Sequence, residues 1–134
     1  MSKIVDIEGI GPAYSEKLQA AGITTVEQLL EKGATPKGRK EIVATTGVSD
    51  KLILRWVNMA DLFRIKGVGE EYADLLEAAG VDTVPELAQR NAENLAAKMA
   101  EVNETKKLVR QVPAATMVEK WVAEAKNLHR KINY

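Results

Sequence analysis

Apolar residues recur along this chain at helical spacing, in two parallel series. Tyr14, Leu18 and Ala21 step by four and three, and Tyr72, Leu76 and Ala79 repeat those steps. Such steps gather side chains on one face of an α-helix. Ile53, Trp56, Val57 and Ala60 follow the i, i+3, i+4, i+7 pattern, and Val118, Trp121, Val122 and Ala125 match them in kind. These stripes predict helices whose apolar faces form a core, with both tryptophans in it.

Punctuation between the stripes supports the same reading. Gly22 and Gly80 stand where a helix needs a left-handed C-terminal residue, which glycine adopts without a Cβ clash. Thr25-Val26-Glu27-Gln28 and Thr83-Val84-Pro85-Glu86 have the form of capping boxes, with a hydroxyl and then Gln or Glu three residues on. Pro85 falls in a first helical turn, where its missing N–H costs little. Thr35-Pro36 predicts an N-cap and first residue for a helix running to about Thr45. Gly47 ends that helix and Ser49 caps the next. Thr116-Met117-Val118-Glu119 predicts a capping box for the last helix, after a loop at Val112-Pro113-Ala114-Ala115.

The two series belong to a repeat. Ile7 to Val26 returns 58 residues later as Ile65 to Val84, with Ile, Gly, Gly, Tyr, Leu, Ala, Ala, Gly, Thr and Val in register. Apolar lead-in segments, Ile4-Val5 and Leu62-Phe63, precede each copy. The tryptophan stripes are offset by 65, which places an insertion of about two helical turns around Glu104–Gln111. The expected organisation is a first repeat over 1–60 and a second over 61–134, packed as one compact unit.

Composition narrows the classes. The chain has 134 residues, 46% apolar but only 4% aromatic, so its core must rest on Leu, Val, Ile and Ala. Without cysteine there is no disulfide framework and no thiolate metal site. No apolar run reaches a membrane span of roughly 18 residues, and Met1–Asp6 lacks a signal-peptide pattern. A reducing cytoplasm, and no membrane partner, are the expectations. Net charge is zero, with 19 basic and 19 acidic residues, which disfavours strong non-specific binding to nucleic acid. The balance hides alternation: residues 1–36 carry −2, residues 37–66 +4, residues 67–104 −7 and residues 105–134 +5.

The repeated pattern resembles the helix-hairpin-helix family. The resemblance rests on Ile7, Gly9, Ile10, Gly11, Leu18, Gly22 and Ile23, then on Ile65, Gly67, Val68, Gly69, Leu76, Gly80 and Val81, and covers roughly residues 4–30 and 62–88. Over nearly its whole length the chain also resembles an uncharacterised bacterial family of unknown function built on such hairpins. The implied fold is all-α: two hairpin repeats, each followed by additional packed helices, in a SAM/helix-hairpin-helix-like helical bundle. In DNA-binding members the glycines let the backbone approach a phosphodiester, and amides at the next helix N-terminus hold it. Carried over, the donors are the amides of Ile10, Gly11 and Ala13 beside Gly9, with Lys17 nearby, and those of Val68, Gly69 and Glu71 beside Gly67. Pro12 has no N–H. The family's first-turn cation is replaced by Ala13 and Glu71, and Glu70 and Glu71 would repel a phosphate at the second turn.

Each candidate has a plainer alternative. The glycines serve a tight turn between packed helices whether or not anything binds. Tyr14 and Tyr72 stack on a base or pack the hairpin. Lys37, Arg39 and Lys40, then Lys106, Lys107 and Arg110, then Lys126, Arg130 and Lys131 supply phosphate contacts or are solvated faces. Catalysis has no set of residues behind it: His129 is the sole histidine, and a metal site from Glu70, Glu71 and Asp74 is weakly drawn. No cofactor is implied. The expectation is a non-enzymatic binding module that contacts a DNA or RNA backbone without reading sequence. The alternative is a protein-interaction or assembly module, self-association through the acidic and basic spans included, in which the hairpins only pack.

Overall fold

A computed structural model describes residues 2–134. Among them the regular elements are eight α-helices and one 3₁₀ turn, Ile4–Asp6. The helices are α1 (Pro12–Ala20), α2 (Val26–Lys32), α3 (Pro36–Thr46), α4 (Asp50–Leu62), α5 (Glu70–Ala78), α6 (Val84–Ala88), α7 (Ala92–Lys106) and α8 (Ala115–Lys126). The only extended pairing among the described residues is an isolated antiparallel bridge, Lys3 to Thr25. The all-α expectation holds.

The chain divides into two units, one running up to Asp61 and regaining Lys131–Tyr134, the other spanning Leu62–Arg130. The sequence reading left those last four residues with the second repeat. Their place in the first unit comes from a buried side chain, Ile132, and from an Asn133 N–H that donates to the Ala34 carbonyl at 2.7 Å.

In the first unit α1 and α2 both pack on α3 and on the 3₁₀ turn. Pro12 opens α1 where its missing N–H breaks no intrahelical bond. The helix stops because Gly22 turns left-handed, at φ +84°, which lets the Ile23 N–H reach back to the Leu18 carbonyl at 2.9 Å. The predicted box opens α2: Thr25 Oγ1 accepts from Gln28 N–H at 3.1 Å, and Gln28 Oε1 accepts from Thr25 N–H at 3.3 Å. Thr35 caps α3 through Gly38 N–H at 3.0 Å, and Ser49 Oγ accepts from Leu52 N–H at 3.3 Å at the head of α4. Ile53, Trp56, Val57 and Ala60 are all buried.

In the second unit α5 packs on α7, and α6 and α7 pack on α8. Val118, Trp121, Val122 and Ala125 are buried as the stripe requires. Two predicted caps are corrected. Thr83 accepts no N–H. Its hydroxyl instead donates to Glu86 Oε1 at 3.5 Å, while Glu86 Oε2 accepts from Asp82 N–H at 3.3 Å. Pro85 has removed one of the two N–H groups that an N-cap oxygen can take. Thr116 is the second residue of α8, whose N-cap is Ala114; its backbone is already helical, so its hydroxyl does not lie over the free amides. The insertion is shared between helix and loop. α7 has 15 residues against 11 in α3, and a connector over 107–114 replaces the short Gly47–Ser49 turn. Val109 anchors that connector, exchanging hydrogen bonds of 3.0 and 3.1 Å with the Asn103 side chain.

Candidate functional site

The two glycines of each turn do different work. Gly9 and Gly67 sit at φ +95° and +90°, a region closed to most side chains. A Cβ on Gly9 would lie 3.0 Å from Arg55 Nη1 and 3.6 Å from Trp56 Nε1, and one on Gly67 3.4 Å from Trp121 Nε1. Each left-handed glycine is therefore seated against the indole of its own repeat. Trp56 Nε1 is buried there without a hydrogen-bond partner among the described residues. Tyr14 meets Trp56 edge-on, with ring centroids 5.0 Å apart, and Tyr72 lies 5.2 Å from Trp121. Tyr72 also donates to the Gln111 carbonyl at 3.2 Å. The tyrosines clamp the turn onto the tryptophan helix.

Gly11 and Gly69 are the N-caps of α1 and α5, at φ −87° and −106°, backbone that other residues also adopt. A Cβ on either would meet nothing within 4 Å. No packing constraint of the fold calls for glycine at these two positions. Their effect is to leave the helix N-terminus bare on its outer side.

The amides divide in the same way. Ile10 N–H donates to Ile7 O and Val68 N–H to Ile65 O, both at 3.1 Å, closing the turn from within. Ile10 and Val68 are also buried. Both are thereby removed from the proposed phosphate donors. Gly11 and Ala13, with Pro12 between them, make no hydrogen bond through their amides among the described residues.

The cation that the first turn lacks in sequence arrives from α4. Arg55 Nη1 donates to the Glu8 carbonyl at 3.3 Å, beside Gly9. Lys17 Nζ lies 6.0 Å from the Tyr14 ring centre. The corresponding residue of the second repeat, Lys120, lines a groove with Lys66, Gly67, Trp121 and Glu124. Sequence reasoning missed Arg55 and Lys120. The available signal was their shared place, one residue before each stripe tryptophan.

The other basic residues scatter. Arg39 is committed: Nη1 donates to Gly33 O and Nη2 to Asn133 O, both at 2.8 Å, with Tyr134 stacked 5.6 Å from its guanidinium. Lys37 and Lys40 remain exposed near the start of α3. Lys106 ends α7, and Lys107 takes the left-handed residue after it, at φ 52°. Arg110 instead lines a groove with Gly69, Glu70, Glu71 and Tyr72. Glu70, Glu71 and Asp74 do not converge as a metal-binding group among the described residues. The Asp82 carboxyl is pushed above its ordinary range, by burial and then by the charges of Glu86 and Glu77. Among the described residues no helix is long and apolar enough to cross a membrane.

A family model described as "Domain of unknown function (DUF4332)" matches residues 8–128. No curated protein and no solved structure matches the chain.

Proposed function

We infer, for a chain that belongs to the DUF4332 family, a non-enzymatic binding module whose repeats are helix-hairpin-helix units and whose first unit holds a nucleic-acid backbone without reading sequence. The observation that carries this reading is Gly11. It caps α1 in a conformation that does not need glycine, with open space where a side chain would stand and unengaged amides on itself and Ala13. A helix N-terminus with bare amides favours an anion. Arg55 and Lys17 supply fixed charge of the right sign nearby. At the second turn Glu70 and Glu71 occupy the equivalent position and oppose a phosphate, so the affinity expected is that of one weak site.

The test is a titration of duplex and single-stranded oligonucleotides at two salt concentrations, on the wild type and on Gly11→Asp. Aspartate is a preferred N-cap, so this variant should fold at least as well. Its carboxylate would stand where the phosphate goes. Binding that weakens steeply with salt and is lost in Gly11→Asp is the expected result. Absent binding at low salt, or equal binding by the variant, sinks the reading. The acidic second turn favours the other reading, an assembly module in which both hairpins only pack. Light scattering on the same samples would then register self-association.

A further inference from the structure

Counted from their N-caps, α3 and α7 bury different positions: α3 buries Ile42, whose counterpart Lys98 is exposed. Aligned at their N-caps, Thr35 and Asn91, α3 and α7 pair Arg39 with Leu95, Lys40 with Ala96 and Val43 with Met99. Leu95, Ala96 and Met99 are the buried residues of α7. Arg39, Lys40 and Val43 instead line an open groove of about 880 Å³ between α3 and α4. The facing wall changes too. Aligned on the tryptophan stripes, Leu54 of α4 stands where α8 carries the exposed Glu119. The first unit thus presents apolar surface on the α4 wall and positive charge on the α3 rim.

Pro36, Val43, Ala44 and Leu54 give the groove an apolar floor, and Lys40 and Lys51 stand exposed along it. Arg39 contributes its stem, since both of its terminal nitrogens are bonded to backbone carbonyls. The N-terminus of α4, a 13-residue helix, opens into the same groove at Ser49 and Asp50. Its dipole adds to the positive rim, and the Asp50 carboxylate is the only acidic side chain of the lining.

We propose that this groove is a docking site for an acidic amphipathic helix of a partner protein, its apolar ridge on Val43 and Leu54 and its carboxylates on Lys40 and Lys51. A helix laid in a groove presents apolar anchors at i, i+3, i+4 and i+7, and α4, at about 1.5 Å per residue, is long enough to receive three turns. A nucleic acid has no use for the apolar floor. The acidic helices of a second copy offer no match, because Leu75 and Leu76 of α5 and Leu95 and Met99 of α7 are already buried. The site is separate from the Gly11 turn, so either proposal can fail without the other.

The experiment is an amide NMR titration of the full chain with a synthetic helical peptide carrying Leu at those four spacings and Glu elsewhere. Saturable shifts at Lys40, Val43, Lys51 and Leu54 are expected. Affinity should fall at least about tenfold in Lys40→Glu/Lys51→Glu, where only exposed rim charges change. Leu54→Glu, which installs the residue native to the second repeat, should weaken binding while leaving the circular dichroism intact. A peptide with Lys in place of Glu should not bind. The proposal is overturned by shifts confined to other residues, by no shifts at millimolar peptide, or by rim variants that bind equally. It is also overturned if an oligonucleotide, or raised protein concentration, moves these amides and the peptide does not.

Discussion

A single residue in each turn separates what the fold requires from what it leaves open. Gly9 and Gly67 are required, by positive φ and by the indoles behind them. Gly9→Ala and Gly67→Ala should each cost about 1–2 kcal/mol, the usual penalty of a Cβ in left-handed backbone. The crowding of Arg55 makes the former the worse of the two. Gly11→Ser, at φ −87° in open space, should be neutral or slightly stabilising, since serine caps well. Chemical denaturation orders the three, and equal losses at Gly9 and Gly11 would refute the distinction. Both glycines were legible as a turn. Which one was free was not, because Arg55 and Trp56 reach Gly9 from more than 40 positions away. Asp82 makes a second prediction at this scale. Its raised pKa means the folded state holds the proton more tightly than the unfolded chain. The ionised carboxylate therefore weakens the fold, and stability is lost as pH rises through the folded-state pKa. Asp82→Asn should stabilise at pH 7, and the advantage should fade as pH falls through the folded-state pKa and be gone below the unfolded carboxyl value. An advantage independent of pH would assign it to something other than charge.

Helices report the same division between local and distant causes. Wherever a boundary was set by residues in contact along the chain, the pattern was readable: Gly22, Gly47 and Gly80 turn left-handed, and Thr25, Thr35 and Ser49 cap. Thr116 had the right spelling and the wrong place. α8 begins two residues earlier, after Ala114, at a start set by a connector whose Val109 is pinned by Asn103. Thr25→Ala should therefore cost about 1 kcal/mol, whereas Thr116→Ala should lie within about 0.5 kcal/mol of wild type, as exposed substitutions do. Thermal melts of the two variants separate them. Equal destabilisation would return Thr116 to the role its sequence suggested. The site followed the same rule. Glycine turns were visible as motifs, but the donors Ile10 and Val68 were spent inside them, and the cations came from α4 and α8.

Across the whole molecule, the segment least visible in the sequence is the one that returns to the first unit. Ile132 lies in no apolar stripe, and Lys131 reads as the end of a basic run. Yet Ile132 is only 2% exposed. Asn133 bonds Ala34 through its N–H and Arg39 through its carbonyl, and the Tyr134 hydroxyl donates to Asn58 Oδ1 at 2.9 Å. Arg39 thus joins the loop before α3 to the tail, which is why a residue that looked like a phosphate contact is a strut. Burying an isoleucine is worth about 1.5–3 kcal/mol, and each net hydrogen bond adds about 1 kcal/mol. Removing Lys131–Tyr134 should lower the stability of the first unit, by less than this sum because ordering each tail residue costs about 1–2 kcal/mol. Arg39→Ala should reproduce part of that loss while leaving Ile132 in place. Native-state hydrogen exchange reads it directly: the amides of Gly33 and Arg39, which bond Leu29 and Thr35, should exchange faster in both variants. Unchanged protection at those two amides would mean that the tail rests on the first unit without holding it, and Arg39 would again be open to the role its charge first suggested.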